Sequence, residues 1–315
     1  MKPNMQRIIP HLWYDKEAKQ AAAFYASVFP ESKVVSTATI EGTPSGDADI
    51  VSFNLWGQDF MAISAGPLFK FNPSISFIVN FDPLFFGQAP SPEKEARKTL
   101  DAVWESLAAG GKVLMPLEKY PFSERYGWIQ DKYGLSWQLM IGKPDGDPRP
   151  AILPSLIFTD KNYGRAKAAV DLYLSVFRNS KRGLFIPYGP GQEPNREGTV
   201  MFADFMLEGK WLSAMDGPGE HGFAFNEAVS LLVRCDTQAD IDYYWQKLSA
   251  VPEAEQCGWL KDSFGVSWQV APTMMEEMLR EGTRDQVASV TQAFLSMKKF
   301  DLKALQAAYD EALVH

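Results

Sequence analysis

The stretch FYASVF at residues 24–29 returns as LYLSVF at 172–177, and YGLSWQ at 133–138 returns as FGVSWQ at 264–269. Between these anchors, FNLWGQDFMAIS (53–64) matches FMLEGKWLSAMD (205–216), and FNPSISFIVNFD (71–82) matches FNEAVSLLVRCD (225–236). Four matched blocks in one order identify a tandem duplication. The chain of 315 residues is long enough for two ordinary domains, and a hydrophobic content of 46% can fill two cores.

A formal net charge of −8 opposes broad electrostatic attraction to nucleic acid or to an anionic membrane surface, so the expected partner is a small molecule. The two cysteines, Cys235 and Cys257, have neither metal-type spacing nor the density of a disulfide framework. With no signal-peptide pattern at the start and no apolar run of about 18 residues, the expected setting is cytoplasmic, with no membrane span.

Within each copy the hydrophobic period alternates between that of strands and that of helices. Strands are predicted at Ile8–Tyr14, Lys33–Ile40, Ile50–Leu55 and Asp59–Ser64, with a helix over Glu17–Phe29 and a tight hairpin connection at Trp56–Gln58. A second β-α-β-β-β unit follows, from Ile75–Phe81 through a helix that Ser91 can cap and Pro92 can open, to Leu135–Ile141. Breakers and charge without an apolar anchor mark a linker over residues 143–150. The predicted organisation is a first domain over 1–142, a second over 151–272, and a helical extension over 273–315 that packs on the second domain. The fold class is α+β, built from four βαβββ units.

Phe-Tyr-x-Ser-Val-Phe closing the first helix, Gly-x-Ser-Trp-Gln near the end and tandem βαβββ units together resemble the vicinal oxygen chelate superfamily. That superfamily includes glyoxalase I, bleomycin-resistance proteins and extradiol dioxygenases. More narrowly, the chain resembles its PhnB-like branch, labelled 3-demethylubiquinone-9 3-methyltransferase-like. The resemblance implies curled sheets in which two units enclose a cup, with ligands or a metal held by inward side chains. It also implies that the two copies form within one chain the pairing that single-domain members make as dimers, which leaves a further homodimer open.

Metal-using relatives draw two His and two Glu from the first and last strands of each unit. Here the resemblance places Pro10 or His11, then Ala62 or Ser64, with Ser76 and Gln138 in the first copy. In the second copy it places Pro154 or Ser155, then Asp216, Ser230 and Gln269. One imidazole, one carboxylate, hydroxyls and amides make a poor divalent-cation site, so neither a metal nor another cofactor is expected. The candidate ligand-binding residues are His11, Trp13, Ser64, Ser76, Trp128, Gln138, Ser155, Asp216, Ser230, Trp259 and Gln269. Strand alternation sets Trp137 against Gln138 and Trp268 against Gln269, so these two tryptophans are expected to face helices or a neighbouring domain.

Other chemistries leave little trace. No G-x-G-x-x-G is read in the chain, so the branch label is not taken as an S-adenosylmethionine-dependent activity. Nor is there a G-x-S-x-G elbow or a P-loop. Glu276 and Glu277 are expected on a solvated face of the extension. The expected function is metal-independent small-molecule binding of the bleomycin-resistance kind. The alternatives are a metal-dependent lyase, isomerase or dioxygenase, and an assembly module.

Overall fold

In this computed structural model, residues 6–43, 46–142 and 148–312 are described. The first unit runs β1 (Ile8–Tyr14), α1 (Ala18–Val28), β2 (Lys33–Thr43), β3 (Gly46–Leu55) and β4 (Gln58–Ser64). The second runs β5 (Ile75–Phe81), α2 (Pro92–Ala108), β6 (Lys112–Tyr120), β7 (Ser123–Gln130) and β8 (Ser136–Ile141). The third runs β9 (Ile152–Phe158), α3 (Ala166–Val176), β10 (Ser180–Pro187), β11 (Val200–Leu207) and β12 (Lys210–Asp216). The fourth runs β13 (Val229–Cys235), α4 (Gln238–Leu248), β14 (Trp259–Lys261) and β15 (Ser267–Pro272), one strand fewer than the others. Three helices follow, α5 (Thr273–Glu281), α6 (Arg284–Leu295) and α7 (Leu302–Glu311). The architecture is α+β, with the strands gathered into two curled mixed sheets.

Local chemistry accounts for the shared turns. Trp56 and Gly57 both have positive φ, as do Glu208 and Gly209, which is the two-residue turn whose twist matches a β-hairpin. Pro92 opens α2 with Glu93 and Glu95 in its first turn, favourable against the helix dipole, although the Ser91 side chain makes no capping bond.

The order of strands could not be read from the turns. One sheet runs β14-β15-β13-β1-β4-β3-β2 and the other runs β10-β11-β12-β9-β5-β8-β7-β6. Each sheet therefore joins a unit from each copy: the first with the fourth, and the second with the third. The central pairs are antiparallel, β1 on β13 and β5 on β9.

Alternation then divides each sheet into a helix face and a concave face. On the helix face Trp137 and Trp268 are fully buried, Trp137 against Tyr25 of α1 and Phe29 just after it, and Trp268 against Tyr173 of α3 and Phe177 just after it. Phe60 of one sheet meets Phe77 of the other edge to face, so the helix faces form the shared core. Among the described residues, no helix is long and apolar enough to cross a membrane.

Candidate functional site: two unequal cups

The register of the central strands builds the floor of each cup. Ser155 stands opposite Ser76, and Ser213 of β12 stands beside Ser155, so the three serines form one row across the concave face of the eight-stranded sheet. Gln138 Nε2 donates to Ser76 Oγ at 2.7 Å, and Tyr126 donates its hydroxyl proton to Gln138 Oε1 at 2.8 Å. Trp128, opposite Gln138, donates to Ser136 Oγ at 2.7 Å. At the centre of this chain of bonds, the hydroxyls of Ser155 and Ser213 are buried and have no hydrogen-bond partner among the described residues.

One wall of this cup holds an ion pair. Asp204, next to Ser213 in register, accepts from Arg149 at 2.8 and 3.2 Å, and the Arg149 guanidinium lies 3.6 Å from the centre of the Trp211 ring. Leu184 N also donates to Asp204 Oδ1 at 2.6 Å. The rest of the wall is apolar and half-buried, with Phe202, Met206 and Met215 on one side and Met115 and Met140 on the other.

The seven-stranded cup repeats this plan with other residues. His11 stands opposite Ser230 and beside Met61, and Gln269 Nε2 donates to Ser230 Oγ at 2.9 Å. His11 is the inward residue and Pro10 is not, which decides the alternative left open by the sequence. Trp259 meets the His11 ring edge to face at 5.5 Å and Trp13 at 6.0 Å, while Trp13 Nε1 donates to Gly66 O at 2.8 Å. His11 is 4% exposed, its Nδ1 has no partner among the described residues, and burial lowers its pKa to about 3, so the ring is neutral.

Two expected site residues lie on the wrong face. Ser64 pairs with Tyr14 on the helix face, and its Oγ accepts from Ala18 N at 3.1 Å. Asp216 pairs with Phe158, and its carboxylate accepts from Gly164 N at 2.8 Å, Ala166 N at 3.2 Å and Val200 N at 2.8 Å. Burial raises the Asp216 pKa while these backbone donors pull it down. Both residues satisfy amides at the start of the first helix of their unit, α1 and α3, a structural duty that ends the last strand with a polar side chain. Their inward counterparts are Met61 and Ser213. The grouping by copy is also corrected. His11 shares a cup with Ser230, Trp259 and Gln269, and Ser155 shares one with Ser76, Trp128 and Gln138, because units from different copies pair.

Sequence reasoning missed a second repeated group. Asp131 Oδ2 accepts from Trp137 Nε1 at 2.8 Å and from the Tyr25 hydroxyl at 2.7 Å, and its Oδ1 accepts from Tyr133 N and Leu135 N. Asp262 does the same with Trp268, Tyr173, Phe264 N and Val266 N. The signal was an Asp two residues before each Tyr/Phe-Gly anchor. Arg149 and Asp204 were missed because they fall outside the matched blocks.

The remaining reactive groups are paired, exposed or inert. Burial pushes the Cys235 thiol up to about 12. Glu276 is not on a solvated face, since it pairs with Arg234 at 2.7 and 3.0 Å. The Gly217–Gly222 loop does have G-x-G-x-x-G spacing, contrary to the sequence reading; it follows β12 but leads to β13 without a helix, so it lacks the amide cluster that holds a pyrophosphate. His221 in that loop is exposed, and its ring Nε2 lies 2.9 Å from Pro218 O. His315 lies outside the described residues.

The fold family implies a divalent cation, but the donors present do not fit one. One cup offers His11, Met61, Ser230 and Gln269, and the other offers only serines and Gln138, with no carboxylate at the ligand positions of either. Among the described residues, no three His, Cys, Asp or Glu side chains come together.

A profile of the family described as 3-demethylubiquinone-9 3-methyltransferase matches residues 6–140 and 150–271. The chain belongs to this 3-demethylubiquinone-9 3-methyltransferase family. The PhnB protein of Bacillus cereus, which carries the same label, is 33% identical over 44% of this chain and 100% of its own length, with a TM-score of 0.36. Two glyoxalase I variants from Zea mays, 10% and 11% identical, cover 86% and 87% of the chain and 96% of their own, with TM-scores of 0.51 and 0.50. Their likeness concerns the fold alone, which is the vicinal oxygen chelate fold in both. Among curated proteins no match is found. Family membership accounts for both repeats, since the matched profile falls once on each copy.

Proposed function

We propose that the protein binds a small, uncharged, largely aromatic or apolar molecule in the eight-stranded cup, without a metal ion. The observation that carries this reading is the pair of unpartnered hydroxyls, Ser155 and Ser213, set in a row with Ser76 and flanked by the Tyr126–Gln138 bond. A buried hydroxyl without a partner costs about 1–3 kcal/mol, and a ligand carbonyl or hydroxyl placed there removes that cost. The half-buried methionines and aromatic rings of the walls suit a flat apolar body. A charged ligand is disfavoured, because the Arg149 charge is already matched by Asp204. The methyl transfer in the family's name is not part of the proposal.

Thermal denaturation against a panel of uncharged aromatic carbonyl compounds tests the reading. Binding raises the melting temperature by mass action. Ser155→Leu, which fills the cup, abolishes that rise. A panel that shifts neither protein, or shifts both equally, removes the proposal. Metal content after purification without chelator tests the cation-dependent alternative, which requires a stoichiometric ion.

A further inference from the structure

The two cups share one plan but not one mouth. In the eight-stranded sheet the edge strand β10 leaves Leu184 and Ile186 exposed at 56% and 43%. In the seven-stranded sheet the C-terminal helices cross the corresponding space. Arg234, on the concave face of β13 in line with Ser230, holds Glu276 of α5. At the far edge α6 packs on β2, Ile40 is buried, and Arg284 pairs with Glu41 at 2.7 Å. After α6 the chain returns to the opposite edge, where Cys257 N and Gly258 N donate to Met297 O and Lys298 O, each at 2.8 Å. The helix face of this sheet is already covered by α1 and α4, so a segment that touches both edges and Arg234 spans the concave side.

The seal is apolar but incomplete in its hydrogen bonding. Val290 and Phe294 of α6 are buried. Yet His11 Nδ1, Ser267 Oγ and, on α6 itself, Thr291 Oγ1 are buried without partners. Closing the helices thus gains apolar burial while leaving polar groups dry, an opposition that lowers the cost of opening.

We propose that α5 and α6 are a built-in occupant of the seven-stranded cup, and that their release opens a second, latent binding cup. Its floor is His11, Ser230 and Gln269 and its walls are Trp13 and Trp259, a lining for an aromatic molecule that hydrogen-bonds the imidazole. Only the class of ligand rests on the reading of the eight-stranded cup; the occlusion stands on the contacts of the helices. The charged groups around the mouth are already paired, Arg234 with Glu276, Lys261 with Glu227 and Arg284 with Glu41.

The test uses the full chain, with the uncharged apolar dye Nile red as probe and the His11 ring protons followed by NMR. Glu41→Cys with Arg284→Cys, joined by a bismaleimide linker that restores the reach of the two long side chains, locks α6 to β2, and Phe294→Asp frees it by placing a charge under the seal. The locked form is expected to bind one dye per chain and to keep His11 neutral down to about pH 3. The freed form is expected to bind two, with His11 titrating near an ordinary value of about 6.5. Equal dye stoichiometry and equal His11 titration in the two forms overturn the proposal. Should Phe294→Asp lose its near-ultraviolet tryptophan signal, Arg284→Glu replaces it. That change opposes Glu41 at an exposed position and is expected to speed exchange of the Cys257 and Gly258 amides at least tenfold, and unchanged exchange overturns the proposal equally. A locked form that binds no dye beside a freed form that binds one supports the occlusion while removing the eight-stranded ligand site.

Discussion

The Tyr25 hydroxyl donates to Asp131 Oδ2 at 2.7 Å across 106 residues of sequence, from the first unit to the second. Tyr173 repeats this with Asp262 between the third and fourth units. Strand pairing joins units from different copies, whereas these buried carboxylates join units of the same copy. Each thus ties one sheet to the other through the shared core.

Replacing Asp131 by Ala leaves the Trp137 indole, the Tyr25 hydroxyl and two backbone amides without an acceptor in the core. The expected loss of stability is about 3 kcal/mol or more, and Asp262→Ala should cost a similar amount. Urea unfolding of each variant checks this, and a loss below about 1 kcal/mol would mean that the network contributes little.

His11 gives the protein an acid-sensitive term. Burial lowers its pKa to about 3, so between that value and about 6.5 the unfolded chain binds a proton that the folded chain does not. Its contribution is complete above pH 6.5 and fades as pH falls toward 3. From pH 7 to pH 5 the expected loss is about 2 kcal/mol. His11→Phe should be less sensitive to acid by that amount when the two proteins are unfolded side by side. The buried Asp131 and Asp262, whose pKa values are raised, act with the opposite sign in both proteins and cancel in the difference.

The serines of the eight-stranded cup are expected to differ in their contribution to stability. Ser155→Ala removes a hydroxyl that bonds to nothing, so stability should change by no more than about 0.5 kcal/mol or rise. Ser76→Ala removes the acceptor of Gln138 and should cost about 1–2 kcal/mol. Calorimetric melting of the pair, without ligand, is the measurement, and equal costs would contradict the assignment.

Arg149→Ala exposes the buried Asp204 carboxylate to a site without a cation. The arginine is itself partly exposed, so the full penalty for a buried pair is discounted to about 2 kcal/mol. Arg149→Lys should recover only part of it, because an ammonium neither forks onto both carboxylate oxygens nor stacks on Trp211. Chemical unfolding of the two variants separates these contributions.

The inward face of most strands was legible, and the errors have one physical origin. His11, Ser76, Gln138, Ser155, Ser230 and Gln269 were all placed at the cup positions that the register gives them. Ser64 and Asp216 were placed inward by the family resemblance, yet strands alternate with period two and each lies three residues from the inward Met61 or Ser213. An odd displacement moves a side chain to the other face. Polarity at those positions reflects amides at the helix starts, which only the packed helices reveal.

The sequence by itself determined the duplication, the βαβββ order, the hairpin turns and the fold family, because these depend on local periodicity, turn stereochemistry and repeated side chains. Tertiary structure alone decided that β1 pairs with β13, that β5 pairs with β9, and that the C-terminal helices pack on the seven-stranded sheet at β2 and β15. Strand edges present the same backbone donors and acceptors whichever partner arrives, so the choice of partner is made by the packing of whole units and not by any local stretch of residues.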